Sequence, residues 1–261
     1  MDKSIYILSS VSKALLIMDL LSEHDRLGIT DIYKRLGNDK SSTFRLLYTL
    51  EAGGYVTKTS DAKYSLSVKF AQYGTMILGR QNLSVLARFH LRKLRDACGH
   101  TANLAILGLD GKGTLIYKEQ SNVAYQMGTA VGFGLDAYCT GTGKMMLSQL
   151  PSEEQRRYAG NYNYQTLTEH TITSSEELLE RLKTIREQGY AEDNEESEIG
   201  LTCYAAPVYN IEGVCIAAIS VAGSTYRMQQ TKETTLPMVM ETALRISIDL
   251  GYKPPAPKEN R

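Results

Sequence analysis

The fold of the N-terminal part of the chain is decided by residues 39–50, DKSSTFRLLYTL. Asp39 is a typical helix N-cap, and the glycine pair after Ala52 ends the helix that the spacing predicts from Lys40 to about Glu51. One face of this helix forms a core stripe of Thr43, Leu46, Leu47 and Leu50. The other face carries Ser41, Phe44, Arg45 and Tyr48. Hydroxyls, a guanidinium and aromatic rings near a helix start are groups that contact phosphates and base edges in the DNA major groove.

Two shorter helices are predicted upstream of this segment. Across residues 11–21 the apolar side chains recur at intervals of three and four, and Ser9 or Ser10 is the expected N-cap. Thr30 is expected to cap the second helix, which ends at the turn that Gly37 begins. Each of these helices has one apolar face, so together with the third they can enclose a small core.

A hairpin is predicted after the third helix. Two short alternating strands, residues 55–58 and 63–66, place Lys58 and Lys63 beside the turn that joins them. The order helix, helix, turn, helix, basic hairpin predicts a winged helix-turn-helix domain over residues 1–66. Because similar small bundles also dock other proteins, the pattern alone leaves a protein-docking module as an alternative.

The charge distribution separates the two parts of the chain. The 261 residues carry 29 Lys and Arg and 29 Asp and Glu, and their net charge is +0. Residues 1–99 hold 15 of the basic but only 9 of the acidic residues, whereas residues 100–261 hold 14 basic and 20 acidic residues. A basic first third suits a polyanionic partner, and an acidic remainder suits neither nucleic acid nor a membrane.

The sequence indicates a cytoplasmic protein without a bound metal. The apolar run at residues 14–18 is cut by Asp19, far short of the roughly 18 residues that a membrane span needs. The first residues show no pattern of a secretory signal. The four cysteines form no CxxC pair, and Cys98 with His100 supplies only two metal-ligand types at close spacing. We therefore expect reduced thiols and no cofactor.

The second part of the chain is predicted to be an α+β domain. Helical spacing continues through a linker helix at residues 67–82 and into Leu83–Cys98. Beyond it the pattern predicts hairpins and helices, an antiparallel sheet flanked by helices over residues 83–252. The expected strands are residues 101–109, 114–119, 203–209 and 214–221, and the expected helices lie near residues 144–149, 153–158 and 175–188. The proline-rich residues 253–261 are expected to form a disordered tail.

Several of these segments carry a family resemblance. Residues 39–50, followed by Gly54-Tyr55-Val56 and Tyr64-Ser65-Leu66, resemble the DNA-binding signature of the IclR family of bacterial transcription regulators. The run GTGK at residues 141–144 and the stretch from residue 186 to residue 208 resemble the effector domain of the same family. The sequence GYAEDNEE at residues 189–196 is most similar to that of the KdgR-like branch, whose members respond to keto-deoxy sugar acids.

The resemblance implies a winged helix-turn-helix joined to a GAF-like effector domain, and it implies residues for both. The residues that we expect to contact DNA are Lys40, Ser41, Ser42, Phe44, Arg45, Tyr48, Lys58 and Lys63. The residues that the resemblance implies for effector binding are Met127, Leu135, Gly141, Thr142, Asp193, Leu201, Cys203 and Ser220. Two positions depart from the family pattern, namely Asp136, where related branches often have proline, and Ala222, where a second serine is expected.

The implied pocket makes chemical sense for a small hydroxylated keto acid. Residues 140–144 fail the nucleotide-binding pattern GxxxxGK[ST] at two positions, but N–H groups at such a turn can receive a carboxylate. The alternative is a tight turn that needs glycine only for backbone reasons. Asp193 and Ser220 would take hydroxyl groups, with Asp193 at the far end from the carboxylate. The rest of the acidic segment 192–198 is expected to be a solvated loop.

These observations predict a regulator that is not an enzyme. We expect a repressor of sugar-acid catabolism that binds double-stranded operator DNA as a homodimer or a dimer of dimers and is released by a small carboxylic acid such as 2-keto-3-deoxygluconate. The alternative is an activator or repressor that responds to an aromatic or other small acid. A catalytic set built on Cys203 and Asp193 would need a histidine, and none lies in the strands that carry these residues.

Overall fold

The computed structural model describes residues 7–80, 83–121 and 129–255, and the chain divides into two compact units, Met1–Gln81 and Asn82–Arg261. Met127 lies outside the described residues, as do residues 81–82 of the expected linker and residues 256–261 of the expected tail.

The first unit has the predicted three helices and hairpin in the predicted order, and it adds a two-residue strand between the first two helices that the sequence does not predict. It comprises α1 (Ser9–Ser22), β1 (Leu27–Gly28), α2 (Ile29–Arg35), α3 (Lys40–Ala52), β2 (Val56–Lys58), β3 (Lys63–Leu66) and α4 (Lys69–Arg80). The small antiparallel sheet has the order β1-β3-β2, so the hairpin of β2 and β3 forms the wing. The three helices and the wing enclose one core, which contains Ile17, Leu21, Ile32, Leu47, Val56 and Tyr64.

The helix starts in this unit differ in part from those that the sequence predicts. Asp39 caps α3 as expected, because its carboxylate accepts a hydrogen bond of 2.7 Å from the Ser42 backbone N–H. The cap residue of α1 is Leu8 rather than Ser9 or Ser10, and the cap residue of α2 is Gly28 rather than Thr30. The reason at α2 is β1: once Gly28 has paired with β3 in extended conformation, the helix begins at the next residue.

The second unit is an α+β domain built on one antiparallel sheet. Its elements are α5 (Leu83–Cys98), β4 (Thr101–Leu107), β5 (Lys112–Glu119), β6 (Gly134–Asp136), α6 (Gly141–Gln149), α7 (Ser152–Asn161), α8 (Ser175–Gln188), β7 (Ala191–Asn194), β8 (Leu201–Tyr209), β9 (Cys215–Ser224) and α9 (Thr225–Asp249). The six strands have the order β6-β5-β4-β9-β8-β7. Helices α5 and α9 pack together with residues of one sheet face, and α6 packs against residues of the other. This arrangement confirms the predicted fold class.

The long C-terminal helix α9 is absent from the sequence prediction. It runs for 25 residues through Pro237 and is rich in threonine, and both residue types have low helix propensity. Its buried stripe of Met228, Val239, Ala243 and Ile246 packs into the main core. Tertiary packing therefore outweighs local propensity over this segment.

Candidate functional site

The exposed face of α3 is unusually aromatic. Phe44 and Tyr48 are 50% and 66% exposed, and their rings stack with centroids 6.4 Å apart. Arg45 lies between them in sequence and is also exposed, whereas Thr43 and Leu47 on the opposite face are fully buried. The structure thus separates a core face from a polar and aromatic face, as the spacing predicts, and Lys40 and Ser41 are exposed at the start of the same helix.

The wing places two lysines beside the hairpin turn. The Lys58 ammonium lies 5.7 Å from the centroid of the Tyr64 ring, and the Lys63 ammonium lies 3.3 Å from the Asp61 carboxylate. A hydrogen bond from Thr59, and then Lys63, lower the pKa of Asp61 below its usual value. Asp61 therefore offsets part of the charge of Lys63, a contact that the sequence analysis did not anticipate.

The second unit contains a small pocket at the start of α6. Its volume is about 120 Å³, well below the roughly 300–1,000 Å³ of sites for drug-sized ligands, so it suits a small molecule. Seven of the eight residues that the resemblance implies line it, whereas Met127 lies outside the described residues. These seven are Leu135, Gly141, Thr142, Asp193, Leu201, Cys203 and Ser220.

Five neighbouring strands each contribute a side chain to this pocket. In sheet order they are Lys118 on β5, Asn103 on β4, Ser220 on β9, Cys203 on β8 and Asp193 on β7. Asn103 is directly opposite both Lys118 and Ser220, and Cys203 is directly opposite Asp193. The Asn103 amide donates a hydrogen bond of 3.4 Å to the Ser220 hydroxyl. The floor of the pocket is therefore polar across several strands.

Asn103 and Lys118 are absent from the residues that the sequence analysis selected. Asn103 is a polar residue inside the apolar run ANLAIL, residues 102–107, and this signal could have identified it. Lys118 belongs to a strand whose alternation predicts a half-buried surface, but only the strand order brings it to Ser220.

The glycine-rich turn at residues 140–144 requires glycine at one position for steric reasons, and it also presents backbone N–H groups to the pocket. A Cβ atom at Gly143 would lie 2.3 Å from the Ala137 Cα, so only glycine fits there. The Thr140 hydroxyl accepts a hydrogen bond of 3.2 Å from the Gly143 N–H and caps the helix. The N–H groups of Gly141 and Thr142 belong to the same first turn, which has no intrahelical acceptors for them. They are available to an anion or a carbonyl oxygen in the pocket.

Asp193 lies beside this turn and not at the far end of the pocket from it. A Cβ atom at Gly141 would be 3.7 Å from the Asp193 backbone nitrogen and 3.5 Å from the Cys203 Cβ. Asp193 is only 1% exposed, and burial raises its pKa above the usual value.

Both carboxylate oxygens of Asp193 already hold the loop that follows β7. Oδ1 accepts hydrogen bonds from the backbone N–H groups of Glu196, at 2.9 Å, and Ser197, at 3.3 Å. Oδ2 accepts one of 2.6 Å from the Ser197 hydroxyl. Since Ser197 and Glu198 also line the pocket, Asp193 shapes one wall of it.

Lys144 and Glu196 form a buried ion pair next to the pocket wall that Asp193 shapes. Lys144, in the second turn of α6, is fully buried, and its ammonium donates a hydrogen bond to Oε1 of Glu196. The expectation that this acidic segment is solvated is therefore wrong for Glu196, because Lys144 supplies a partner inside the protein. Oε2 of Glu196 is buried and has no hydrogen-bond partner among the described residues. Burial raises the pKa of Glu196, and the nearby Lys144 opposes this rise.

The thiols near the pocket are poor nucleophiles. Burial raises the pKa of Cys203 well above its usual value, and the neighbouring Asp193 charge raises it further. Burial likewise raises the pKa of Cys139 to about 12. Both thiols are protonated at neutral pH, whereas a catalytic cysteine needs the thiolate. Among the residues that line the pocket in the described part of the chain there is no histidine to act as a base.

In the described ranges 7–80, 83–121 and 129–255, no cluster of three or more His, Cys, Asp or Glu side chains could hold a metal ion. None of the helices in the same ranges combines the length and apolar character that crossing a membrane requires.

Comparison with known proteins identifies both parts of the chain. Residues 10–60 match the IclR helix-turn-helix domain, and residues 75–248 match the bacterial transcriptional regulator IclR C-terminal domain. The chain is 35% identical to the HTH-type transcriptional regulator KdgR of Escherichia coli K12 over 97% of this chain and 96% of that protein. It is also 35% identical to the HTH-type transcriptional regulator XynR of the same organism, over 94% of this chain and 98% of that one.

The solved structures agree with the sequence relatives. The crystal structure of the C-terminal domain of E. coli KdgR is 34% identical to this chain and superposes with a TM-score of 0.60 over 66% of this chain and 99% of that one. The shared region includes the sheet and helices that form the pocket described above.

Proposed function

The chain belongs to the IclR family of transcriptional regulators, and from this premise we propose that it represses genes of sugar-acid catabolism and leaves its operator when a small keto acid such as 2-keto-3-deoxygluconate binds. The observation that carries the proposal is the pocket of about 120 Å³ with polar groups from five strands. Its size and lining suit a small hydroxylated acid better than a nucleotide. The similarity to KdgR over nearly the whole chain supports the choice of a sugar acid.

The DNA contacts of the proposed repressor come from α3 and the wing. Helix α3 enters the major groove with Ser41, Ser42, Phe44, Arg45 and Tyr48, while Lys40 and the wing lysines Lys58 and Lys63 bind phosphates. All of these residues are exposed except Ser42, which is half-buried, and the buried stripe of α3 lies on its opposite face. Phosphate contacts fix the position of such a domain on DNA, and contacts to base edges supply its specificity.

We expect the protein to be at least a dimer, and a dimer of dimers is the larger assembly that the proposal allows. One winged helix-turn-helix contacts too few base pairs to specify a single site in a genome. A dimer contacts two half-sites about one helical turn apart and so recognises a longer sequence. Sedimentation equilibrium should give a mass of two or four times 29.0 kDa. A species of 29.0 kDa that still binds the operator with full affinity would contradict this expectation.

The proposed function is tested by retention of the DNA fragment upstream of the protein's own gene in native gels. Addition of 2-keto-3-deoxygluconate is expected to weaken retention, and by linkage a tenfold loss corresponds to a coupling of about 1.4 kcal/mol. A response only to aromatic acids such as 4-hydroxybenzoate, or no response to any acid, would exclude the proposed effector class.

Asp193→Asn should separate sensing from DNA binding. The substitution keeps the shape of the side chain but removes the charge that holds the Glu196 and Ser197 N–H groups, so the pocket wall loosens. We expect DNA retention to stay unchanged while the response to 2-keto-3-deoxygluconate falls at least about tenfold. Glu192→Gln is the matched control, because Glu192 is the preceding residue of β7 and pairs with Lys232 instead. A wild-type response in the Asp193 variant would show that the charge of Asp193 is not needed to sense the effector.

A further inference from the structure

Among the described residues that line the pocket, Lys118 is the one that places a charge at the β5 end. It lies on β5, half-buried, and its ammonium donates a hydrogen bond of 3.1 Å to the backbone carbonyl of Thr129. Of the lining residues that the structure describes, Lys118 alone carries a positive side chain. Its position directly opposite Asn103 makes it the start of the polar row that continues to Ser220.

The negative lining groups stand at the other end of the pocket. Asp193 lies on β7 and Glu198 in the loop after it, whereas β5 is separated from β7 by β4, β9 and β8. The α6 turn also lies at this end, because Gly141 is next to the Asp193 backbone. A carboxylate at this end would face the buried charge of Asp193, while a carboxylate at the β5 end would face Lys118. The N–H groups of the first α6 turn also attract an anion, but they carry only partial charges, whereas Lys118 carries a full one and Asp193 and Glu198 repel a carboxylate from the α6 end.

The surroundings of Lys118 strengthen this preference. Lys118 is half-buried, so its ammonium has lost part of its hydration, and this burial lowers the pKa of Lys118. A partly desolvated cation gains more from an arriving anion than a solvated one does, because the pocket screens the pair less than water. The neighbouring Asn103 amide and Ser220 hydroxyl can then bind the polar atoms next to the carboxylate.

We propose that Lys118 pairs with the carboxylate of the effector and that Asn103 and Ser220 bind its adjacent oxygen atoms. This inference rests on the proposed function in that it takes the effector to be a small acid, and it adds the orientation of that acid. The carboxylate lies toward β5, and the hydroxyl-bearing end lies toward Asp193 and the first turn of α6. The orientation is opposite to the one that the sequence alone predicts, in which the α6 turn receives the carboxylate.

The experiment compares acids with their amides in calorimetric titrations of the full-length protein. The probes are 2-keto-3-deoxygluconate, pyruvate and 4-hydroxybenzoate, each beside the corresponding carboxamide. The variants are Lys118→Met, Lys118→Arg and the control Lys112→Met, in which an exposed lysine of the same strand outside the pocket is replaced. Lys118→Met is expected to weaken binding of the acid at least about tenfold and binding of the amide less than about twofold. Lys118→Arg restores the preference for the acid, and Lys112→Met leaves it unchanged.

The outcomes distinguish this inference from the proposed function. If Lys118→Met keeps the wild-type ratio of acid to amide affinity, the role of Lys118 is wrong even where the keto sugar acid binds. If the wild-type protein binds only pyruvate or 4-hydroxybenzoate and that binding depends on Lys118, the role of Lys118 holds and the keto sugar acid is excluded as effector. Binding of none of the acids to the wild-type protein would overturn both. Retained amide binding in Lys118→Met shows that the variant is folded.

Discussion

Replacing Arg45 by alanine is expected to weaken operator binding by about 1–3 kcal/mol and to relax specificity at the base pair that it contacts. Arg45 is exposed on α3 and lies in sequence between the exposed Phe44 and Tyr48, whereas the buried core stripe of the helix is formed by other residues. The folded unit should therefore be intact, and the loss should appear only on DNA. Fluorescence anisotropy with the operator and with a scrambled duplex of equal length measures both affinities.

Lys63→Ala is the matched comparison on the wing. A lysine that binds phosphate contributes to all sequences alike, so its removal should weaken both duplexes equally and reduce the salt slope by about one. The pairing of Lys63 with Asp61 should make this loss smaller than that of an unpaired lysine. Normal operator affinity in Arg45→Ala, with an unchanged ratio between operator and scrambled duplex, would show that another face of the domain reads the bases.

Helix α3 could be predicted closely because its signals are local. Asp39 caps it, Gly53 and Gly54 end it, and the spacing of its apolar residues defines the buried face, so α3 ends within one residue of the expected position. The cap of α2 could not be predicted in the same way, because it depends on β1 pairing with a strand that comes 35 residues later. Helix α9 was missed because its stability comes from the core that it joins and not from its own threonine-rich sequence.

Part of the pocket lining was predictable from the sequence, but the electrostatics of the pocket were not. The family resemblance names residues that the fold does bring together, since seven of the eight line one pocket. The polar row of Lys118, Asn103 and Ser220 depends on the strand order β5-β4-β9, which no local pattern reveals. The burial of Glu196 likewise depends on Lys144, 52 residues earlier in the chain. Long-range pairings of this kind decide which charges are solvated and which are not.

Replacing Lys144 by methionine should destabilise the second unit by about 3–5 kcal/mol. Methionine fills similar space, but it leaves the buried carboxylate of Glu196 without its ion-pair partner and removes the cation that acts on the buried Asp193. Urea denaturation followed by circular dichroism measures the loss as a shift of the transition of the second unit, since the first unit has a core of its own. Arg157→Met, which replaces an exposed basic residue of α7, is the control and should change stability by less than about 0.5 kcal/mol.

The pH dependence of this loss has a definite sign. Burial raises the pKa values of Asp193 and Glu196 above their usual range, and Lys144 opposes the rise, so removing Lys144 raises both pKa values further. A carboxyl group whose pKa is higher in the folded than in the unfolded protein favours folding at low pH and loses that contribution as the pH rises through the folded value. The Lys144→Met protein should therefore regain stability relative to wild type as the pH falls from 7 toward 5.

The double variant Lys144→Met with Glu196→Gln distinguishes an ion pair from simple packing. Each single substitution leaves one buried charge of the pair without its partner. The double variant removes both charges, so its loss of stability should be clearly smaller than the sum of the two single losses. The wall that Asp193 and Glu196 support carries Ser197 and Glu198 into the pocket, and restored stability should therefore bring restored effector affinity. Additive losses that do not change between pH 7 and pH 5 would mean that Lys144 acts through its volume alone, and the buried pair would then have no part in shaping the pocket.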